Sequence, residues 1–384
     1  MVGLGLVGAA ALRHLATAGL SVVGIGPAEP VVLEGHPGAF ASHYDSGRIT
    51  RRLDPRGEWG ELAARSIAAY AELAAASGIA FHTASGTVLA SADPTYLAAV
   101  TDVGDRVGVP FATHAAGDPA LDPRLRFAPG ATVLVEPAPA GFIDPRRMLQ
   151  AQIAVAEAHG ARVERTEVVA IDRANDPNDG WAVRLADGGL IEGRRVLVAA
   201  GAHTDEIAGI AAPAFAVRAE AVVLAQLDAE EAERLAGLPS VLAHLDGGAY
   251  RDLYQVPPTT YPDGTRCLKL GATLRVVPRL DDGPSRRAWM GGTAHREHLG
   301  PLRALVEALV PGIRAVGWTT RPCLITDTAR GLPVIDHLGP GLVVAAGGNG
   351  YAAKSSDAIG ALAAGLLRNG RWTDPALPAS AFRG

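Results

Sequence analysis

The chain opens MVGLGLVGAAALRHLATAGLSVVGIG, and the six residues Gly3–Gly8, GLGLVG, decide how the rest is read. Glycines in G-x-G-x-x-G spacing precede a stretch, Ala9 to Ala18, that predicts a helix, with Gly19 as its stop. Val22, Val23 and Ile25 predict the next strand. Turn, helix and strand in that order form the latter part of a βαβ unit. At a helix N-terminus the backbone N–H groups lack partners and the dipole is positive, so a pyrophosphate binds there. Gly3 permits the tight turn, Gly5 lets a phosphate come close, and Gly8 lets the helix pack on the strand. The competing reading is a glycine-rich turn in an alanine- and glycine-rich protein. The helix and strand that follow favour the dinucleotide site. Only Met1 and Val2 precede Gly3, where a central strand usually has about 5 residues. Either this strand is very short or the natural start lies upstream. The acid that usually holds the ribose belongs at Gly26; the nearest acid is Glu29, equally read as a solvated loop carboxylate.

Outward from this motif, residues 28–60 predict a long loop with a short helix, and Leu62 to Ala76 an amphipathic helix. Residues 85–140 predict short β pieces between turns, and Pro145 to His159 a helix stopped by Gly160. Strands are predicted at Ala161–Asp172, Trp181–Leu185, Arg195–Val198 and, longer and alternating, within 215–280. Pro301 to Leu309 predicts a helix, and Leu342–Ala346 a strand that leads through GGNG into a helix from Ser355 to Leu367. The ends are α/β and the middle is β-rich. The fold class is therefore α/β (α+β): a Rossmann-like nucleotide domain built from discontinuous segments, with an inserted mixed or antiparallel sheet domain. NAD and FAD share the glycine motif. The distant GGNG turn favours FAD, a long cofactor enclosed by remote segments.

At 384 residues, two domains are the natural expectation, at roughly 100–200 residues each. A net charge of −5 argues against nucleic acid and anionic membrane as partners. No apolar run reaches the roughly 18 residues of a membrane span. The apolar start lacks a basic segment, which argues against a signal peptide. Cys267 and Cys323 are the only cysteines, without CxxC spacing, which predicts neither a disulfide scaffold nor a zinc site and suits the cytoplasm.

Five segments together resemble the FAD-dependent glycine oxidase/D-amino-acid oxidase (DAO) family, nearest its monomeric sarcosine oxidase and N-methyltryptophan oxidase branch. They are GLGLVG at Gly3–Gly8, SHYDSGRITR at Ser42–Arg51, CLKLG at Cys267–Gly271, RPCLITDT at Arg321–Thr328 with PVID at Pro333–Asp336, and AAGGNGYAAK at Ala345–Lys354. The resemblance implies an FAD-binding domain from residues 1–85, 141–215 and 320–384, and a substrate domain from 86–140 and 216–319. It implies oxidation of the C–N bond of an amino acid or a secondary or N-methyl amine. Hydride passes to the flavin, O2 is reduced to H2O2, and the imine hydrolyses. A dehydrogenase with another electron acceptor is the alternative. The chain is expected to act as a monomer, with a dimer as the alternative.

The same resemblance implies the site residues. FAD contacts fall at Gly3, Gly5, Val7, Gly8, Glu29, Ser42, Arg48, Val168, Gly201, Cys323, Gly348, Asn349, Gly350, Tyr351 and Lys354. Cys323 matches a cysteine thioether-bonded to the flavin's dimethylbenzene edge; its plain reading is a buried small hydrophobe. Lys269 matches a lysine that activates oxygen, where a fixed cation stabilises developing superoxide; otherwise it is a surface lysine in a strand. Arg51 and Lys354 match a pair that grips a substrate carboxylate, the arginine by its fork and the lysine as a point charge. Arg48 tunes flavin charge, Tyr254 lines the substrate pocket or packs the core, and Tyr351 replaces a histidine near the flavin carbonyl. Thr273 stands where the family carries an active-site histidine. Threonine cannot act as a base at neutral pH, so a substrate other than sarcosine is expected.

Overall fold

Val2 is bridged in parallel to Ile25 on one side and Val198 on the other, so it holds the place of the missing first strand. The computed structural model describes residues 1–174, 180–245 and 247–384. Around Val2 the sheet runs in the order Arg162–Glu164, Val23–Ile25, Val2, Val196–Val198, Leu342–Ala346 and Val334–Gly339. All neighbours are parallel except the last pair. From Val2 the chain runs through the glycine turn directly into the helix Leu6–Thr17. That helix packs against Pro145–Ala158 and Ala352–Asn369, with Leu12, Leu15, Leu197, Val343 and Ile359 in one buried cluster.

The second layer is a mixed eight-stranded sheet in the order Ala315–Asp327, Ala216–Leu227, Arg266–Leu274, Tyr250–Thr260, Ser240–His244, Thr87–Ser91, Thr132–Glu136 and Ala112–Ala115. Every pairing is antiparallel except Ser240–His244 with Thr87–Ser91. Alternation divides its faces. Leu268 and Leu270 join Leu302 and Val306 of the helix Leu299–Leu309, while Lys269 points the other way. The strand Ala315–Asp327 lies wholly in this sheet, so position 320 falls inside one element. The mixed α/β architecture with a large separate sheet is the one the sequence indicated.

Local readings differ in three places. The stretch read as only β pieces contains the helix Pro94–Arg106, whose N-cap Asp93 accepts hydrogen bonds from the Thr95 and Tyr96 N–H groups ahead of a proline in the first turn. A second unforeseen helix, Gly283–Gly291, starts with a capping box between Asp282 and Ser285. The region 28–60 holds no short helix; it is irregular up to the strand Arg48–Thr50, and the helix Gly57–Ser77 begins within its end.

Candidate active site

The glycine turn opens onto a cavity of about 330 Å³. It runs from Gly3, Gly5 and Val7 past Gly26, Val168 and Gly201 to Ser42, Arg48 and Cys323. Gly5 caps the helix without a side chain, so the first-turn amides face the cavity unshielded. A Cβ on Gly8 would lie 1.8 Å from the Gly3 carbonyl oxygen, so the turn closes this tightly only with glycine. His43 lines the same space, and its Nδ1 has no hydrogen-bond partner among the described residues. Burial, reinforced by Arg146, Arg165 and Arg48, pushes its pKa down to about 3, so the ring is neutral. Unshielded amides beside a neutral, unpartnered ring suit a pyrophosphate-linked cofactor with polar ring edges, and an FAD fits this donor set.

Six positions expected to touch cofactor are absent from this lining: Asn349, Gly350, Tyr351 and Lys354 line a neighbouring cavity, and Gly8 and Glu29 line neither. Gly8 serves the turn's packing. Glu29 is gripped by Arg146, whose Nε and Nη2 donate at 2.7 and 2.5 Å. At Gly26, the position of the usual ribose acid, a Cβ would lie 2.7 Å from the Leu4 nitrogen, which explains the glycine.

A second cavity of about 270 Å³ shares Ser42, Arg48 and Cys323 with the first. It lies between the large sheet and the start of the helix Ala352–Asn369, and Arg51, Tyr254, Lys269, Thr273, Gly348, Asn349, Gly350, Tyr351 and Lys354 line it. The GGNG turn is tied down by its neighbours. Asn349, at φ 50°, accepts from the Thr328 N–H and donates to the Gly347 carbonyl, and the Gly348 N–H donates to Thr326.

Lys269 is fully buried, which removes the surface reading. Its Nζ donates to Asp45 Oδ2 at 2.7 Å and to the Gly47 carbonyl. Asp45 also accepts from Arg48, from Tyr261 at 2.9 Å and from the Ser46 N–H at 2.8 Å. Burial alone would raise the Asp45 carboxyl, but Lys269 and Arg48 hold it well below the usual carboxylate range. Burial pushes Lys269 down to about 8, against the pull of Asp45. Arg48 Nη2 further donates to the Ser42 carbonyl at 2.9 Å and reaches Cys323 Sγ at 3.8 Å. Burial raises the Cys323 thiol, and Arg48 opposes that rise.

A parallel cluster forms around Asp54. Lys354 Nζ donates to Asp54 Oδ2 at 2.8 Å, and Arg51 Nη1 lies 3.1 Å from the same oxygen. The arginine contact has ion-pair distance without hydrogen-bond geometry, leaving Nη1 without a hydrogen-bond partner among the described residues. Both cations lie 5.5–5.7 Å from the centre of the Tyr351 ring, which stacks on Trp59. Burial, then Arg51, pushes Lys354 down to about 8 despite Asp54. Two cations against one carboxylate leave a net positive charge.

A third cluster lies on the sheet. Gly271 is required where the Tyr254 ring crosses it, because a Cβ there would lie 2.3 Å from the ring. The crossing carries the Tyr254 hydroxyl to Glu220 Oε1 at 2.7 Å. Glu220 Oε2 accepts from Arg218 at 2.7 Å and from Thr273 at 3.3 Å. Asp45, Asp54 and Glu220 were all missed by sequence reasoning. Asp54 stands three residues after Arg51, and the RAE of Arg218–Glu220 interrupts an apolar strand with two charges on one face, so signals existed for both.

A glycine turn at a helix start, a cavity suited to a dinucleotide and a second cavity fitted with buried charges define an oxidoreductase of the dinucleotide-binding class. The chain belongs to the DAO family of FAD dependent oxidoreductases, whose sequence model matches residues 1–366. FAD is the family's cofactor. No curated protein matches the sequence. Among solved structures the fold resembles NikD, an unusual amino acid oxidase essential for nikkomycin biosynthesis, at 19% identity and TM-score 0.77 over 100% of this chain and 95% of that one. It resembles iminodiacetate oxidase (IdaA) from Chelativorans sp. BNC1 at 18% identity and TM-score 0.72, covering 100% and 97%. L-Proline dehydrogenase from P. horikoshii is similar at 18% identity and TM-score 0.72, covering 100% and 95%. Among the described residues no helix is long and apolar enough to cross a membrane.

Proposed function

We propose that this chain oxidises the C–N bond of an amino acid, or of a secondary or N-methyl amine carrying a carboxylate, with O2 as acceptor. The observation that carries this reading is the net-positive Arg51–Asp54–Lys354 cluster in a cavity that shares a wall with the cofactor cavity. A buried site with two cations against one carboxylate suits a substrate carboxylate, which accepts charge-assisted hydrogen bonds from arginine and lysine. Oxidation of an amino acid by NikD and of iminodiacetate by IdaA supports a carboxylated amine.

Bound FAD supplies the two-electron acceptor. Arg51 and Lys354 hold the substrate's carboxylate, and Tyr254 and Tyr351 wall the pocket. Thr273 anchors Glu220 without acting as a base. Lys269, fixed by Asp45, holds a positive charge where reduced oxygen would develop negative charge. Arg48 and the first-turn amides would hold the cofactor, with Cys323 lining the same cavity as the candidate point of attachment. The large sheet, including Ala315–Asp327, forms the substrate side, and the segments around the parallel sheet form the cofactor side.

Anaerobic addition of amino acids and N-methyl amines to the yellow holoenzyme should bleach its visible flavin band for at least one carboxylated amine. No bleaching across the panel, with dithionite still reducing the flavin, would defeat the reading. Peroxide release under air separates an oxidase from a dehydrogenase of the L-proline dehydrogenase kind. Acid precipitation tests Cys323: colour stays in the pellet if the flavin is attached and moves wholly to the supernatant if it is not.

A further inference from the structure

The second cavity presents buried cations at one place and a buried carboxylate at another. Arg51 and Lys354 outnumber Asp54, giving a positive pole. On the sheet, Arg218 is shared between Glu220 at 2.7 Å, which lines the cavity, and Asp327 at 2.8 Å, which lies outside the lining. Among the described residues two carboxylates line this cavity, Glu220 and Asp252. Asp252 is partly exposed and pairs with Arg251, whereas Glu220 is buried at 4% exposure. Glu220 is opposite Cys323 in the strand register, so both project from the same face toward the wall shared with the cofactor cavity. Thr273, in the place of the family's histidine, hydrogen-bonds Glu220.

We propose that Glu220 binds the substrate's nitrogen, so that the cavity recognises a carboxylate at Arg51–Lys354 and an amine at Glu220. The assignment rests on the amine-oxidation reading above and deepens it. When the carbon beside nitrogen loses a hydride, the C–H bond breaks and the nitrogen lone pair closes the C=N bond. A neutral nitrogen becomes a cationic iminium, while the hydride's electron pair goes to the proposed oxidant, FAD. A fixed carboxylate beside that nitrogen stabilises the developing charge more than the neutral amine, so its contribution grows along the reaction. The Tyr254, Arg218 and Thr273 donors hold both Glu220 oxygens in place, which removes the need to reorganise them during the step.

The test uses two ligands of the same shape that cannot lose a hydride from nitrogen's neighbour in the required way: betaine, with a cationic nitrogen, and tert-butylacetate, with carbon in its place. Dissociation constants are read from the visible flavin spectrum of the holoenzyme. Wild type should prefer betaine by about ten- to a hundredfold. Glu220→Gln should bring the two affinities close together without weakening tert-butylacetate, and Glu220→Asp should restore the preference. Equal wild-type affinities, or a preference unchanged in Glu220→Gln, would overturn the assignment. The wild-type comparison needs no variant, so it stands even if Glu220→Gln does not fold. Retained tert-butylacetate binding without preference sinks Glu220 alone. Binding of neither ligand sinks the carboxylated-amine reading and the assignment with it.

Discussion

The clusters around Asp45 and Asp54 are built from the same three residue types and differ in what they leave unused. Each pairs a buried aspartate with an arginine and a lysine, and the arginines stand three residues apart, at Arg48 and Arg51. Around Asp45 the donors are taken up by protein: Lys269 has two acceptors, and Arg48 serves Asp45, the Ser42 carbonyl and Cys323. Around Asp54, Lys354 has one side-chain acceptor, and Arg51 Nη1 has no hydrogen bond among the described residues. Under the proposed function, the same chemistry serves as a fixed charge in one place and a receptor for an anion in the other. Hydrogen bonding to protein, and not the identity of the residues, is what differs between the two clusters.

Removing an aspartate should break either cluster hardest. Asp54→Ala leaves two buried cations unpaired, and the loss of stability in urea unfolding is expected at about 3–5 kcal/mol. A loss near zero would show that the pair is not buried as described. Lys269→Met should lower the rate constant for reaction of reduced enzyme with O2 by about 10²–10³, while leaving the affinity for a carboxylate ligand unchanged. Lys354→Met should do the reverse, weakening that ligand about ten- to a hundredfold with little effect on reoxidation. If both variants alter both measurements alike, the division between fixture and receptor fails.

The smallest expected effect is on pH. Burial lowers Lys269 and Lys354 alike to about 8, so each is charged below that pH and loses its proton as pH rises through it. Reoxidation and carboxylate binding should both decline above about 8. The decline in reoxidation should vanish in Lys269→Met, and that in binding should vanish in Lys354→Met. Profiles that stay flat through this range would show that neither lysine titrates there.

Much of the fold was legible where local signals agree. Gly3–Gly8 and the strand Leu342–Ala346 lie where periodicity and turn residues put them. The helix Pro94–Arg106 was missed even though Asp93–Pro94 is a readable start, because its neighbours look like β pieces. In the candidate site, Lys269, Arg51 and Lys354 were singled out through the family resemblance, and the structure brings them to one cavity. Their aspartates were not, since Asp45 meets Lys269 across 224 residues and Asp54 meets Lys354 across 300. Only the folded chain supplies that proximity. Glu29 shows the converse: a carboxylate at nearly the right sequence position was claimed by Arg146, a partner 117 residues away.

Ser42, Arg48 and Cys323 line both cavities, so ligands bound in the two would share a common partition. Binding free energies on either side of such a partition are reciprocal. Whatever factor a carboxylate ligand applies to the hold on the cofactor, the cofactor applies to the hold on that ligand. An exchange at Arg48 changes both affinities together with the coupling between them, and the coupling appears only when each ligand is titrated with and without the other.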